Sequence, residues 1–147
     1  MNHSSSRQQL HAHRQLFWAA WQKSQTGRRL SDLEQRIVGV IAIHPEYHGL
    51  FADRERFIDA DEWADGGVNP YLHLSLHLAL EEQLATSQPP AVVAALQRLI
   101  SIKGLERHAA LHTLLELLAE MVHQAQQSGG EPDVLTYQLR LDEVARG

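Results

Sequence analysis

The chain has 147 residues, a formal net charge of −5 and no cysteine. That length argues for one domain, 1–147, able to bury a core without staples, and the missing cysteines exclude disulfides, thiolate metal sites and cysteine nucleophiles. The longest apolar stretch, Ile37 to Ile43, falls far short of the roughly 20 residues of a membrane span. The opening Met1-Asn2-His3-Ser4-Ser5-Ser6 has no apolar signal core. A cytoplasmic protein with no membrane partner is expected. Acids and bases are interleaved, and Arg28-Arg29 is the sole adjacent basic pair, so nucleic acid is not an expected partner.

The elements, in chain order, are all helical. A first helix is predicted from Arg7 to Gln25, with Leu10, Phe17, Trp18 and Trp21 on its apolar side and a stop at Thr26-Gly27. Ser31-Asp32-Leu33-Glu34 has the form of a capping box: the hydroxyl takes a free backbone N–H and Glu34 reaches back. The helix it opens carries Leu33, Ile37, Val38 and Ile41 and runs to Pro45, which either ends it or restarts a turn. Asp53 to Asn69 is an acidic loop containing Gly66-Gly67, with one short turn around Glu55–Ile58. Asn69-Pro70 starts a third helix reaching about Leu84. Thr86 to Pro90 separates it from a fourth, Ala91 to about Ile102. Gly104 interrupts or kinks the chain before Leu105–Gln127, which Ser128-Gly129-Gly130 terminates, and Val134–Ala145 closes the sequence. No segment alternates with period two for long enough to form a strand. The expected fold is an all-α helical bundle of five to six helices with a four-helix-bundle-like core.

Histidine is the unusual quantity, with 10 copies against 3 each of Trp, Tyr and Phe. His44/His48, His73/His77 and His108/His112 stand four residues apart, where chance placement gives roughly 0.7 such pairs. Two of them extend by a further step, to His73-x3-His77-x3-Glu81 and His108-x3-His112-x3-Glu116. Side chains four apart on a helix lie on one face and reach a shared point. Imidazole with carboxylate suits iron, zinc, manganese, nickel or copper far better than calcium or magnesium. The candidate metal ligands are therefore His44, His48, His73, His77, Glu81, His108, His112 and Glu116, with iron or zinc favoured.

Projection at about 100° per residue tests the facing. On the third helix Ser75, Ala79, Glu82 and Gln83 form the wet side, and His73, His77 and Glu81 sit opposite among Leu74, Leu78, Leu80 and Leu84. On the 105–127 helix, Leu111, Leu114, Leu115, Leu118, Met121 and Val122 form an apolar arc. His108 and His112 lie at its edge, while Glu116 and Glu120 point away, in the manner of a solvated polar stripe. His123 shares that stripe. His3, His11 and His13 are expected on the surface. Pro45 also permits a plainer role for His44 and His48 as capping residues.

Three readings of the set stand side by side: metal binding, a buried polar network satisfied by Glu or backbone, and a proton-sensing or acid–base site without metal. No phosphate loop, nucleophile elbow or zinc-protease signature is present. Two ions about 3.5–4 Å apart would open oxygen, peroxide or hydrolytic chemistry, whereas one closed ion would be structural; the sequence names neither a reaction nor a small-molecule substrate. A contrasting reading is a non-catalytic interaction module, with a protein partner or a second copy docked on Trp18 and Trp21.

Asn69-Pro70-Tyr71-Leu72-His73-Leu74-Ser75-Leu76-His77-Leu78-Ala79-Leu80-Glu81-Glu82-Gln83 resembles the central motif of a bacterial family known as a domain of unknown function. His44-Pro45-Glu46-Tyr47-His48 looks like its second motif, and Gln88-Pro89-Pro90 with His108, His112, Glu116 and Ala119-Glu120 is similar to its C-terminal half. The resemblance spans residues 7 to 140. It implies a short helical protein of proteobacterial type and no particular activity. That family's pattern has Trp at position 123, where this chain has His.

Overall fold

A computed structural model describes residues 3–55 and 70–147, with side chains described from Ala12 onward. The described chain is all-α: α1 (His3–Gln25), α2 (Asp32–Ala42), a 3-10 segment (Pro45–Ala52), α3 (Pro70–Thr86), α4 (Ala91–Ser101), α5 (Arg107–Ser128) and α6 (Val134–Arg146). The loop expected over 53–69 falls almost wholly outside the described residues, as does the capping role expected of Asn69. Two compact units emerge, residues 1–75 and 76–147, and the boundary between them falls inside α3.

The first unit is built around aromatic rings. The Ser31 capping box forms as the sequence requires: the Glu34 N–H donates to Ser31 Oγ at 3.2 Å and the Ser31 N–H to Glu34 Oε1 at 2.9 Å. Lys23 Nζ on α1 donates to Glu34 Oε2 at 2.7 Å, which pins the start of α2 to α1. This ammonium, with the Ser31 N–H, holds the Glu34 carboxyl below its usual range. Ile37, Val40 and Ile41 line the buried side of α2, with Phe17 and Ala20 of α1, Leu50 and Phe51 of the 3-10 segment, and Tyr71 and Leu74 of α3. Phe17 meets Tyr71 edge-on at 5.4 Å. Arg14, though charged, is buried beside the same ring, its guanidinium 5.1 Å from the centroid. Tyr71 is hydrogen-bonded through its hydroxyl to His13 Nδ1 at 2.9 Å. Trp18 stacks on Phe51 at 6.3 Å, and Trp21 tilts against Phe51 and His48. Both tryptophans thus pack within their own unit.

The second unit has the four-helix core that the sequence predicts, made from the second half of α3 with α4, α5 and α6. Leu76 and Leu80 of α3, Val92, Ala95, Leu96 and Leu99 of α4, Ala110, Leu111, Leu114, Leu115 and Leu118 of α5, and Tyr137 and Leu141 of α6 form one apolar cluster. Gly104 breaks the chain between α4 and α5; at φ +72° it takes the left-handed conformation that ends a helix. Gly129, at φ +69°, does the same after α5. One expectation is corrected. Gln83 and Ala79 are not on a wet side of α3: Ala79 packs on the core, and Gln83 Oε1 accepts a 2.7 Å bond from the Tyr137 hydroxyl. The cause is α6, which arrives from 54 positions away in sequence to cover that side. Glu82 is exposed as expected, and so is Leu72, at 43%.

The α2 cap and the Tyr137 hydroxyl each give a measurable outcome. Ser31→Ala removes the cap and should cost about 1 kcal/mol, read as a lower melting temperature. Burial pushes the Tyr137 phenol up to about 12. An unfolded tyrosine ionises near about 10. The Tyr137 contribution to stability is therefore complete below about pH 10 and is lost as pH rises through about 12. Denaturant titrations across that range should show the decline in the wild type and a flatter profile in Tyr137→Phe.

Candidate metal centre

The histidines are positioned by helix ends and helix faces. Helix α2 stops at Ala42, because Pro45 cannot continue it, and leaves terminal carbonyls in need of donors. The Ile43 N–H serves Gly39 and the His44 N–H serves Ile41. The two imidazoles of the proline segment supply more: His44 Nδ1 lies 2.7 Å from the Val40 carbonyl and His48 Nε2 lies 2.9 Å from the Ile41 carbonyl. A carbonyl can only accept, so both nitrogens carry hydrogen. Pro45 also restarts the chain, as the first residue of the 3-10 segment. Both outcomes that the sequence allows at Pro45 are realised at once.

This capping fixes the chemistry of His44. With Nδ1–H committed to backbone, the neutral ring keeps its lone pair on Nε2. That atom, in a residue with no exposed surface, stands 3.1 Å from His73 Nε2 on α3. The two rings meet edge to face at 4.9 Å. Tyr47, in the intervening segment, lies parallel to His44 at 5.6 Å and edge-on to His73 at 5.9 Å. Burial pushes the Tyr47 phenol above its ordinary value, with the nearby Glu46 carboxylate acting in the same direction. His48 is engaged differently, with its Nε2 capping α2 and its ring resting on Trp21 at 4.7 Å.

In the second unit, α3 and α5 bring together three imidazoles. His77 is fully buried. His108 and His112 are half-buried, one turn apart on α5, with ring centroids 4.3 Å apart and planes tilted by 50°. His77 meets His112 edge to face at 4.8 Å and lies nearly parallel to His108 at 5.7 Å. Leu76, Leu80, Leu111, Leu114 and Leu115, on the same two helices, are buried in the apolar cluster of this unit.

The carboxylates expected to complete the rows are placed elsewhere. Glu81, one turn beyond His77, receives both guanidinium nitrogens of Arg107, at 3.1 and 3.2 Å. Glu116, one turn beyond His112, is exposed on α5. Glu120 accepts from Arg140 at 2.8 Å and from Gln124, while His123 is exposed. Of the outlying histidines, His13 is exposed and His3 and His11 lie outside the described side chains. The spacing does not single out Tyr47, whose only signal is its place inside the His44–His48 segment. The Val40 carbonyl is legible, since it lies four residues before His44 at a helix end.

Among the described residues, no helix is long and apolar enough to cross a membrane. No curated protein matches the chain, and no solved structure does either. The family described as a domain of unknown function, DUF1841, matches residues 7–143, the same stretch that carries the His-rich motifs. The chain belongs to the DUF1841 family.

Proposed function

We propose that this protein binds a divalent transition metal, iron or zinc, through His77, His108 and His112. The observation that carries the reading is the convergence of three imidazoles from two helices, at 4.3 to 5.7 Å between ring centroids, beside a leucine core. Several neutral imidazoles can share one metal ion, each giving one lone pair. All-nitrogen donors favour iron, zinc or copper over the hard ions calcium and magnesium.

Three histidines leave a coordination position open, the arrangement that catalytic rather than closed structural sites use. An ion held there would supply Lewis acidity at that position. What the chain itself contributes is orientation. Two rings come from successive turns of α5 and one from α3, and the Arg107–Glu81 pair joins those helices one turn beyond His77. Glu81 and Glu116 are left out of the ligand set, the first because Arg107 holds it and the second because it faces water. A buried polar network without metal is the competing reading, favoured by the capping bond of His44.

Elemental analysis of untagged protein tests the proposal. Roughly one equivalent or more of iron or zinc is expected, with the three-histidine equivalent lost in both His77→Ala and His112→Ala and kept in Glu116→Ala. His48→Gln should also keep its metal. Adding the ion to the stripped protein at about 100 times its Kd should raise stability by about 2.7 kcal/mol. Acid should release it, because protons compete for the imidazole lone pairs. Metal-free protein, whose melting is indifferent to both chelator and added zinc or iron, would end the metal reading in favour of the polar network.

A further inference from the structure

The carboxylate that ends the His73-x3-His77-x3-Glu81 row stands where a ligand would stand. Glu81 is one turn, about 6 Å, along α3 from His77. Side chains at that spacing share a face, so a glutamate turned toward His77 would meet an ion held by that ring. We infer that Arg107 is a positioning residue of the metal centre: it holds Glu81 aside and so keeps the fourth coordination position open to an exogenous ligand. This rests on the metal-binding reading above.

Three observations support it. The first is geometry. The Arg107 guanidinium donates to both oxygens of Glu81, from Nη1 to Oε1 at 3.1 Å and from Nη2 to Oε2 at 3.2 Å. Two parallel charge-assisted bonds fix the orientation of a carboxylate as well as its place. The second is position. Arg107 directly precedes His108 at the start of α5, and Glu81 follows His77 on α3, so the pair spans the two helices that supply the imidazoles. All five residues belong to the second unit. A cation at the first position of a helix is opposed by the helix dipole, and Glu81 is the partner that offsets this for Arg107. The third is the contrast between the two rows. Glu116 stands to His112 as Glu81 stands to His77, but Glu116 is exposed, whereas the Glu81 side chain is only 27% exposed. Water already draws Glu116 away; the half-buried carboxylate is the one that a guanidinium restrains.

The restraint has a chemical consequence. Three neutral imidazoles leave the full charge of the ion acting on whatever binds at the fourth position. A carboxylate there would offset part of that charge and fill the position. Its departure from Arg107 would also leave a guanidinium beside a dication, and like charges at short range repel.

The test uses full-length, untagged, metal-stripped protein loaded with cobalt(II), whose visible bands report its coordination, and azide as the exogenous ligand. Azide should shift the bands of the wild type. In Arg107→Ala the freed Glu81 should change the bands and abolish the azide response. Zinc affinity of that variant, measured by competition with a chromophoric chelator, should rise about tenfold. Adding Glu81→Gln to Arg107→Ala should restore both the azide response and the wild-type affinity. Arg107→Lys, which keeps a cation, should resemble the wild type. Weaker or unchanged zinc binding in Arg107→Ala, with azide still bound, would overturn the inference. So would a loss of zinc affinity in Glu81→Gln alone, because Glu81 would then already be a ligand. Wild-type bands indifferent to azide would mean a filled position, which overturns this inference and leaves metal binding standing. Wild type that takes up neither cobalt nor zinc would remove the metal-binding reading itself, and this inference with it.

Discussion

An imidazole ring taken out of water must keep its two nitrogens supplied, and that constraint organises both units of this chain. His44 meets it by spending one nitrogen on a helix carbonyl and turning the other to His73. His77 lies against the rings of His108 and His112. The ordinary solution for a buried histidine is a carboxylate or backbone partner on each side. Here imidazole faces imidazole twice, in places where apolar side chains would pack at lower cost.

The helices are legible from punctuation. Ser31 with Glu34, Pro45, Pro70, Gly104 and Ser128-Gly129 mark ends that the structure reproduces to within a few residues, because caps and breakers act locally and their chemistry is visible in a short window. The side of each helix that faces its neighbours is legible only in part. On α5 the apolar arc dictates the outcome, and Glu116 is exposed where the projection puts it. On α3 a projection contains no knowledge of α6, so it assigns Gln83 and Ala79 to water when Tyr137 and the core in fact cover them.

The candidate ligands divide along the same line. The four-residue spacing correctly puts His108 beside His112 and sets both imidazoles of α3 on one helical face, since those are properties of one helix. It cannot foresee that Arg107, adjacent in sequence to His108, takes Glu81 across 26 residues, or that His48 is drawn to the end of α2 and onto Trp21. Both outcomes depend on which elements approach each other, information that a repeated spacing does not contain. The same holds for the tryptophans: residues with the composition of docking anchors turn out to pack on Phe51 within their own unit.

Most helices close with a glycine or with solvent; α2 closes with a side chain that has a second occupation. The imidazole of His44 is at once the stopper of a helix and one face of a polar pair, so backbone order and side-chain state are mechanically the same variable there. Any event that swings this ring strips the Val40 carbonyl of its donor and frays the final turn. The amides at Ile43 and His44 thereby become natural reporters: their hydrogen-exchange rates register what happens at the far nitrogen of the ring.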